Sequence, residues 1–432
     1  MNISILSLLG SLSTARLPMV NQRLCSCIPA LLFATLLLFL SSAHAYRENY
    51  TCHFAPSIPE DRRPSPYRLR IVQFNVEFFF LDQSEGGLVC PGPDCPWPDA
   101  ETAHAHALRI ANVLKELRPD IVNLCEVEGC DEINWLATRL NEEASERVQE
   151  EAGPDTPTQA FGYNYFLLKG QDTFTGQNTA LLTRIDPSTD LDRSTDRVPY
   201  PLPGSQCGWE TRRASAWAGG NFRQQFGDRT NGHIGGSADG QAGVSKHYFT
   251  TFHLQEVGVK IAIVGIHLLA RPIDPERCAE REAQATVLRG VVDGFIAEGY
   301  EVVVLGDFND FDGSVPDINN NLPTSRVMEI LKGTDLFPTA TFLPQAERYT
   351  DWWDRNGNCQ VDAPEELDMI DHVLLTKGLQ ERVIAVYVYH AYDEYCGTLD
   401  SDHYPVVIDL EWEGVKKEWL DDLETEGSSK MA

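Results

Sequence analysis

The stretch that most constrains the fold is Val302-Val303-Val304-Leu305-Gly306-Asp307-Phe308-Asn309-Asp310. A β-branched apolar run reads as a buried strand. It stops at a glycine and hands over a carboxylate, an amide and a second carboxylate. In α/β sheets, ligands bind outside the carboxyl ends of strands. Asp307 and Asn309 can point the same way from there, whereas Asp310 carries no role. A Gly-Asp turn after a strand is common, so these letters do not decide the matter alone.

The rest of the chain repeats the pattern. Leu69 to Phe74 is a strand that delivers Asn75 and Glu77. Asp99 caps a helix in which Ala107, Ile110, Ala111, Leu114 and Leu117 share one face, and Pro119 ends it. Ile121 to Leu124 is the next strand and delivers Glu126, completing a βαβ unit. Asp131 to Val148 reads as a helix, and Tyr163 to Leu168 and Thr179 to Thr183 as strands. Tyr248 to Leu254 and Val259 to Ile266 read as a hairpin that delivers His267. Pro275 to Ala297 is helical and leads to the strand ending at Asp307. Met369 to Thr376, Val383 to Tyr389 and Pro405 to Trp412 are strand-like. His104 and His106 lie in the first helix without partners and read as surface residues.

The residues handed over are Asn75, Glu126, His267, Asp307, Asn309, Asp371, Asp402 and His403. Carboxylates with an amide suit a hard divalent cation, which prefers oxygen ligands. Two histidines with an orienting carboxylate supply proton transfer. Hydrolysis of a phosphodiester uses both.

Six segments occur in order: Gln73-Phe74-Asn75-Val76, Asn123-Leu124-Cys125-Glu126-Val127, Gly265-Ile266-His267-Leu268, Gly306-Asp307-Phe308-Asn309, Ile370-Asp371-His372-Val373-Leu374 and Ser401-Asp402-His403-Tyr404-Pro405-Val406. Together they resemble the endonuclease/exonuclease/phosphatase superfamily, the deoxyribonuclease I-like fold, from about Arg68 to Trp412. The resemblance implies an α/β fold: a four-layered α/β sandwich of two mixed β-sheets flanked by helices. It implies Asn75, Glu126 and Asp402 on the metal side, with Glu126 the direct carboxylate ligand of Mg2+ or Mn2+. It implies His267 and His403 as catalytic histidines, with Asp371 fixing the tautomer of His403. Asp307 would handle the attacking water or a second metal, and Asn309 would orient the phosphate. Lys246 and His247 stand where some relatives place a basic residue against phosphate.

The expected activity is a secreted metal-dependent phosphodiesterase, foremost a nuclease with DNA or RNA as substrate. A phospholipid or phosphoinositide phosphoesterase of the sphingomyelinase type is one alternative, and a catalytically inactive binding protein on this fold is another. No strongly amphipathic element argues for lipid, and the complete set of acids, amides and histidines argues against inactivity.

Composition bounds the rest. The 432 residues are 42% hydrophobic and carry a formal charge of −29, which argues against a broad basic nucleic-acid surface. It leaves room for an enzyme that meets phosphate through metal. Residues 1–45 read as a signal peptide: an apolar run Ile28 to Leu40 follows Arg16 and Arg23, and Ser42-Ala43-His44-Ala45 marks cleavage after Ala45. A retained signal anchor is the alternative. Cleavage implies a secreted, extracellular protein, or one in the secretory-pathway lumen, without stable membrane association; a monomer is expected. Of eleven cysteines, Cys25 and Cys27 leave with this segment, so an odd number remains. Cys90–Cys95 is the best local disulfide, and Cys125 fits a free buried thiol equally well. Asn49 heads a glycosylation sequon.

Residues 46–67 form a polar lead-in without periodicity, and the catalytic domain runs from 68 to 412. A Gly/Arg-rich insertion at about 186–243 carries Arg193, Arg197, Arg212, Arg213, Arg223 and Arg229. It reads as a substrate-steering surface or a solvated loop. Asp354, Asn356, Asn358, Asp362 and Glu365 have the spacing of a structural Ca2+ loop, with Cys359 where glycine is usual. An Asn/Asp-rich turn tied by a Cys359 disulfide is the alternative. Residues 413–432 form an acidic tail.

Overall fold

The computed structural model describes residues 51–81, 97–152, 162–171, 175–207, 240–354, 358–361, 366–391 and 400–412. The signal segment and Asn49, Cys90, Cys95, residues 208–239 with four of the arginines, Asn356, Asp362, Glu365 and the acidic tail lie outside them. The strands are β1 (Thr51–Cys52), β2 (Arg68–Phe79), β3 (Ile121–Val127), β4 (Asn164–Leu168), β5 (Asn178–Thr183), β6 (Val198–Pro199), β7 (Gln241–Ala242), β8 (His247–Leu254), β9 (Val259–His267), β10 (Glu301–Asp307), β11 (Leu336–Pro338), β12 (Asp351–Trp352), β13 (Leu367–Asp368), β14 (Asp371–Thr376), β15 (Val383–Val388) and β16 (Val406–Glu411). The helices are α1 (Ala100–Leu117), α2 (Cys130–Ala152), α3 (Pro275–Ala297), α4 (Val327–Lys332) and α5 (Lys377–Gln380).

Two sheets face each other. One has the order β1-β4-β5-β3-β2-β16-β15, the other β11-β14-β10-β9-β8. Each contains one parallel pair, β2 with β3 and β9 with β10, among antiparallel neighbours. The expected helix-spanned units, through α1 and α3, make those pairs.

Strand alternation builds the layers. In β2, Leu69 and Ile71 face the other sheet, while Val72, Phe74 and Val76 face helices. In β10, Val303 and Leu305 face inward, while Val302 and Val304 face α3 and α4. Thus one core lies between the sheets and one lies under the helices on each outer side, giving four layers. Within α1, Ala107, Ile110, Ala111, Leu114 and Leu117 are buried, and Asp99 caps it by accepting the Thr102 N–H at 2.8 Å.

Four expectations are corrected or sharpened. His106 is buried, not superficial. It falls on the inward stripe with Ala103, Ile110 and Ala107, stacks on Trp97 at 4.1 Å and meets the Val76 carbonyl at 2.7 Å. Asp310 has a structural role: it is fully buried, accepts from Ser325 Oγ and lies 3.7 Å from the Arg281 guanidinium. The lead-in, from residue 51 onward, is anchored although it lacks periodicity. β1 pairs with β4, Cys52 is disulfide-bonded to Cys130, and Arg62 forks onto Asp186 at 2.6 and 3.0 Å. The described parts of the insertion are tied to each other and to the domain: β6 pairs with β7, Arg193 donates to the Lys169 carbonyl, and Arg197 donates to the Gln241 carbonyl. A second disulfide joins Cys207 to Cys278, and Cys125 is a free, buried thiol.

Candidate active site

The inward face of each central strand is apolar along its length and turns polar at one shared end. β2 runs Leu69, Ile71, Gln73, Asn75. β9 runs Ile261, Ile263, Gly265, His267. β10 runs Val303, Leu305, Asp307, and β14 reads Leu375, Val373, Asp371 toward the same end. Alternation alone therefore aims Asn75, His267, Asp307 and Asp371 at one pocket. Gly306 lets β10 approach β9, since a side chain there would strike the Ile266 carbonyl.

Glu126 needs a different device. Alternation would place it with Val122 and Leu124, facing the helices. The β2–β3 register shifts between Asn75 and Phe79, and the β3–β5 register shifts between Leu124 and Val127. At these bulges Glu77, Phe78 and Glu126 take φ of 42°, 47° and 70°. Such bends re-aim side chains and cost about 1–3 kcal/mol for each residue so held. Here they turn Glu126 into the pocket, where its Oε2 accepts the Phe78 N–H at 3.0 Å. Asn309, at φ 49°, bends back so that its N–H holds Asp307 Oδ1 at 2.8 Å.

The convergent distances are short. Asn75 Nδ2 lies 3.1 Å from Asp307 Oδ2, 3.4 Å from Glu126 Oε1 and 3.4 Å from His403 Nε2. His267 Nε2 lies 3.5 Å from Asp307 Oδ2 and 3.9 Å from Glu126 Oε1. His403 Nδ1 donates to Asp371 Oδ2 at 2.6 Å, so Nε2 faces the pocket. Asp402 Oδ1 is 3.9 Å from that Nε2, and the Asp402 N–H donates to Glu77 Oε2 at 3.1 Å. Seven of the eight expected residues are thus in one cluster. Asn309 borders it, its side-chain amide donating to the Leu268 carbonyl at 3.3 Å.

Further residues outside those eight line the cluster. Lys246 Nζ lies 3.3 Å from His267 Nε2, while His247 points the other way and accepts the Ser194 N–H at 2.9 Å. Asp351 Oδ1 is 3.4 Å from His403 Nε2, and Asp368 is its partner across the β12–β13 ribbon. Both sit in short strands without an apolar run to announce them. Glu77 was visible as a polar residue after β2, but nothing in the sequence reveals the bulge that turns it inward.

Electrostatics divides the cluster. Burial raises Glu77, Asp351 and Asp368 well above the usual carboxylate range; Asp402 and Glu126 add to this for Glu77, and Asp368 adds to it for Asp351. Burial, then Asp371, pushes Asp307 up to about 7, and burial, then Glu126, takes Asp402 to about 6. Burial and then the Lys246 cation hold His267 well below the ordinary imidazole value. Burial would lower His403 too, but Asp371, Asp402 and Asp351 outweigh it and hold His403 well above that value.

The donors fit a hard divalent cation. Oxygen-bearing side chains crowd one pocket, their charges oppose one another, and the buried Asp402 Oδ1 has no hydrogen-bond partner. The residues that would hold it are Glu126 and Asn75, 3.4 Å apart, with Asp402 beyond His403 Nε2.

The family model described as Endonuclease/Exonuclease/phosphatase family matches residues 72–403. A search of curated proteins returned no match. Among solved structures, a 3'-5' exonuclease, NExo, from Neisseria meningitidis is similar at 16% identity and a TM-score of 0.43, covering 80% of this chain and 100% of that one. A humanized D. rerio TDP2 is similar at 15% and 0.42, covering 81% and 100%. The human Nocturnin catalytic domain with bound sulfate is similar at 16% and 0.41, covering 82% and 96%. No residue role follows from likeness this distant. The match of the family model over most of the chain places this protein in the endonuclease/exonuclease/phosphatase family of phosphoester hydrolases.

Proposed function

We propose that the protein is a secreted, metal-dependent phosphodiesterase that hydrolyses nucleic acid. The observation that carries this reading is the pairing of an oxygen-rich donor set with two histidines pushed in opposite directions. A divalent ion, Mg2+ or Mn2+, when bound by Glu126, Asn75 and Asp402, would offset charge on the phosphoryl oxygens.

The chain's own residues supply the proton transfers. Asp307, with a value of about 7, is suited to take a proton from water, and Asn309 and Asn75 fix its two oxygens. His403, charged and oriented by Asp371, presents Nε2 as donor to a phosphoryl or leaving oxygen. His267, held neutral, keeps a polar contact to Asp307 without adding a second proton donor there. Lys246 stands behind it as a fixed cation, next to the anion's path. The disulfides Cys52–Cys130 and Cys207–Cys278 support an oxidising, extracellular setting.

The test is a panel of plasmid DNA, single-stranded DNA, RNA, sphingomyelin and inositol phosphates, with Mg2+ and Ca2+ present, for wild type and His267→Ala. Turnover of a nucleic acid that is lost on chelation and in His267→Ala is expected. Turnover of sphingomyelin alone would redirect the reading to lipid, and equal activity in His267→Ala would defeat the site assignment.

We also propose that the Asp354 loop holds a structural Ca2+. Asp354 accepts the N–H groups of Asn358 and Cys359 at 3.3 and 2.8 Å, and Cys359 takes φ 61° at the position where glycine is usual. Ca2+ added to stripped protein should raise its Tm in wild type and not in Asp354→Ala; no rise in wild type would sink the idea.

A further inference from the structure

We propose that Gln73 is a positioning residue that holds the carboxylate of Asp371 and, through it, His403. This rests on the reading of that pair given above and deepens it.

Gln73 lies on the inward face of β2, fully buried, one alternation beyond Ile71. A bare amide there would be costly, because a buried polar group without a partner costs about 1–3 kcal/mol. Gln73 has partners at both ends. Its Nε2 donates to Asp371 Oδ1 at 2.9 Å, and its Oε1 accepts from Asn123 Nδ2 at 2.5 Å. An ionised carboxylate only accepts, so chemistry fixes the amide's direction: nitrogen toward Asp371, oxygen toward Asn123. Asn123 fits because the facing residue on β9 is Gly265. A Cβ there would collide with Asn123 Oδ1 and the Tyr248 ring.

The contacts form one buried line. Gly265 makes room for Asn123, Asn123 holds Gln73, Gln73 holds Asp371, and Asp371 holds His403. The line joins β9 and β14 of one sheet to β3 and β2 of the other. The Asp371 N–H donates to Thr350 Oγ1, which fixes the backbone but leaves the carboxylate plane free. Among the described residues, only Gln73 and His403 hydrogen-bond that carboxylate. Gln73 therefore sets the plane, and the plane sets where His403 Nε2 points. The Cys125 thiol accepts from Gln73 Nε2 at 3.6 Å and from Asn123 Nδ2 at 3.7 Å, and donates to the Ile266 carbonyl at 3.4 Å.

The experiment compares wild type, Gln73→Met, Asn123→Ser and His403→Gln. Two readouts are used: the low-field proton resonance of the His403 Nδ1–H bond, and Mg2+-dependent hydrolysis of bis(p-nitrophenyl) phosphate. The resonance, assigned by its loss in His403→Gln, should move upfield or broaden in Gln73→Met. In that variant kcat should fall about 10–100-fold, the usual cost of an outer orienting partner, with KM changed by about twofold or less. Asn123→Ser, which removes only the far anchor, should show the same changes in smaller measure, and it serves if Gln73→Met does not fold. An unchanged resonance and unchanged kcat in whichever variant folds overturns the proposal. A fully active His403→Gln would instead overturn the reading of the pair, and the resonance would still decide the role of Gln73.

Discussion

His267 and His403 face one pocket, and both are buried, yet their surroundings pull them apart. His267 ends an inward row of apolar residues on β9 and meets the Lys246 cation at 3.3 Å. His403 lies before β16 among three carboxylates, with Asp371 at 2.6 Å, Asp351 at 3.4 Å and Asp402 at 3.9 Å. Burial acts on both in the same direction, so the neighbours decide. One imidazole is kept neutral and the other charged. Titratable groups driven apart in this way mark an acid and its counterpart, a division of labour that a single pKa cannot reveal.

The largest expected effect separates the two directly. His403→Gln should lower kcat with Mg2+ by about 10²–10⁴-fold, the range for a proton donor, and His267→Gln should fall at the lower end of that range. Equal losses in stopped-time assays of the two variants would weaken the division. Next is the pH profile of kcat/KM. Activity should fall as the pH rises through the His403 value, because the donor is then neutral; in His403→Gln that alkaline fall should disappear.

Stability gives a third contrast. The folded value of His403 is raised, so its contribution is full below the ordinary value of about 6.5 and is lost as the pH rises through the folded value. The folded value of His267 is depressed, so its contribution is present above about 6.5 and is lost as the pH falls through the folded value. Accordingly His403→Gln should cost about 1–3 kcal/mol in urea unfolding at acid pH and less at alkaline pH, with the opposite trend for His267→Gln. The smallest effect is in Lys246→Met. Removing that cation should raise the His267 value, read from its ring resonances during titration.

The two histidines also show what was legible in the sequence. His267, Asp307, Asn75 and Asp371 each end an apolar run at an inward position, so periodicity alone announces them. The longer strands, α1 with its Asp99 cap, and both parallel pairs follow from the same patterns. Glu126 was legible as a residue delivered by β3, but the bulge that turns it inward at φ 70° contradicts simple alternation and was not. Asp351 and Asp368 were missed because each sits in a two-residue strand, where no pattern exists to read. Lys246 was weighed only as a phosphate contact; its place behind His267 depends on the β8–β9 pairing, a long-range fact. His106 was misread because its partners, Trp97 and the Val76 carbonyl, come from outside its helix.

The most direct measurement is long-range ¹H–¹⁵N NMR of the histidine ring nitrogens in metal-free protein at pH 7, with His267→Gln and His403→Gln used for assignment. A neutral single tautomer is expected for His267 and a doubly protonated ring for His403. Two neutral rings, two charged rings or the reverse assignment would contradict it.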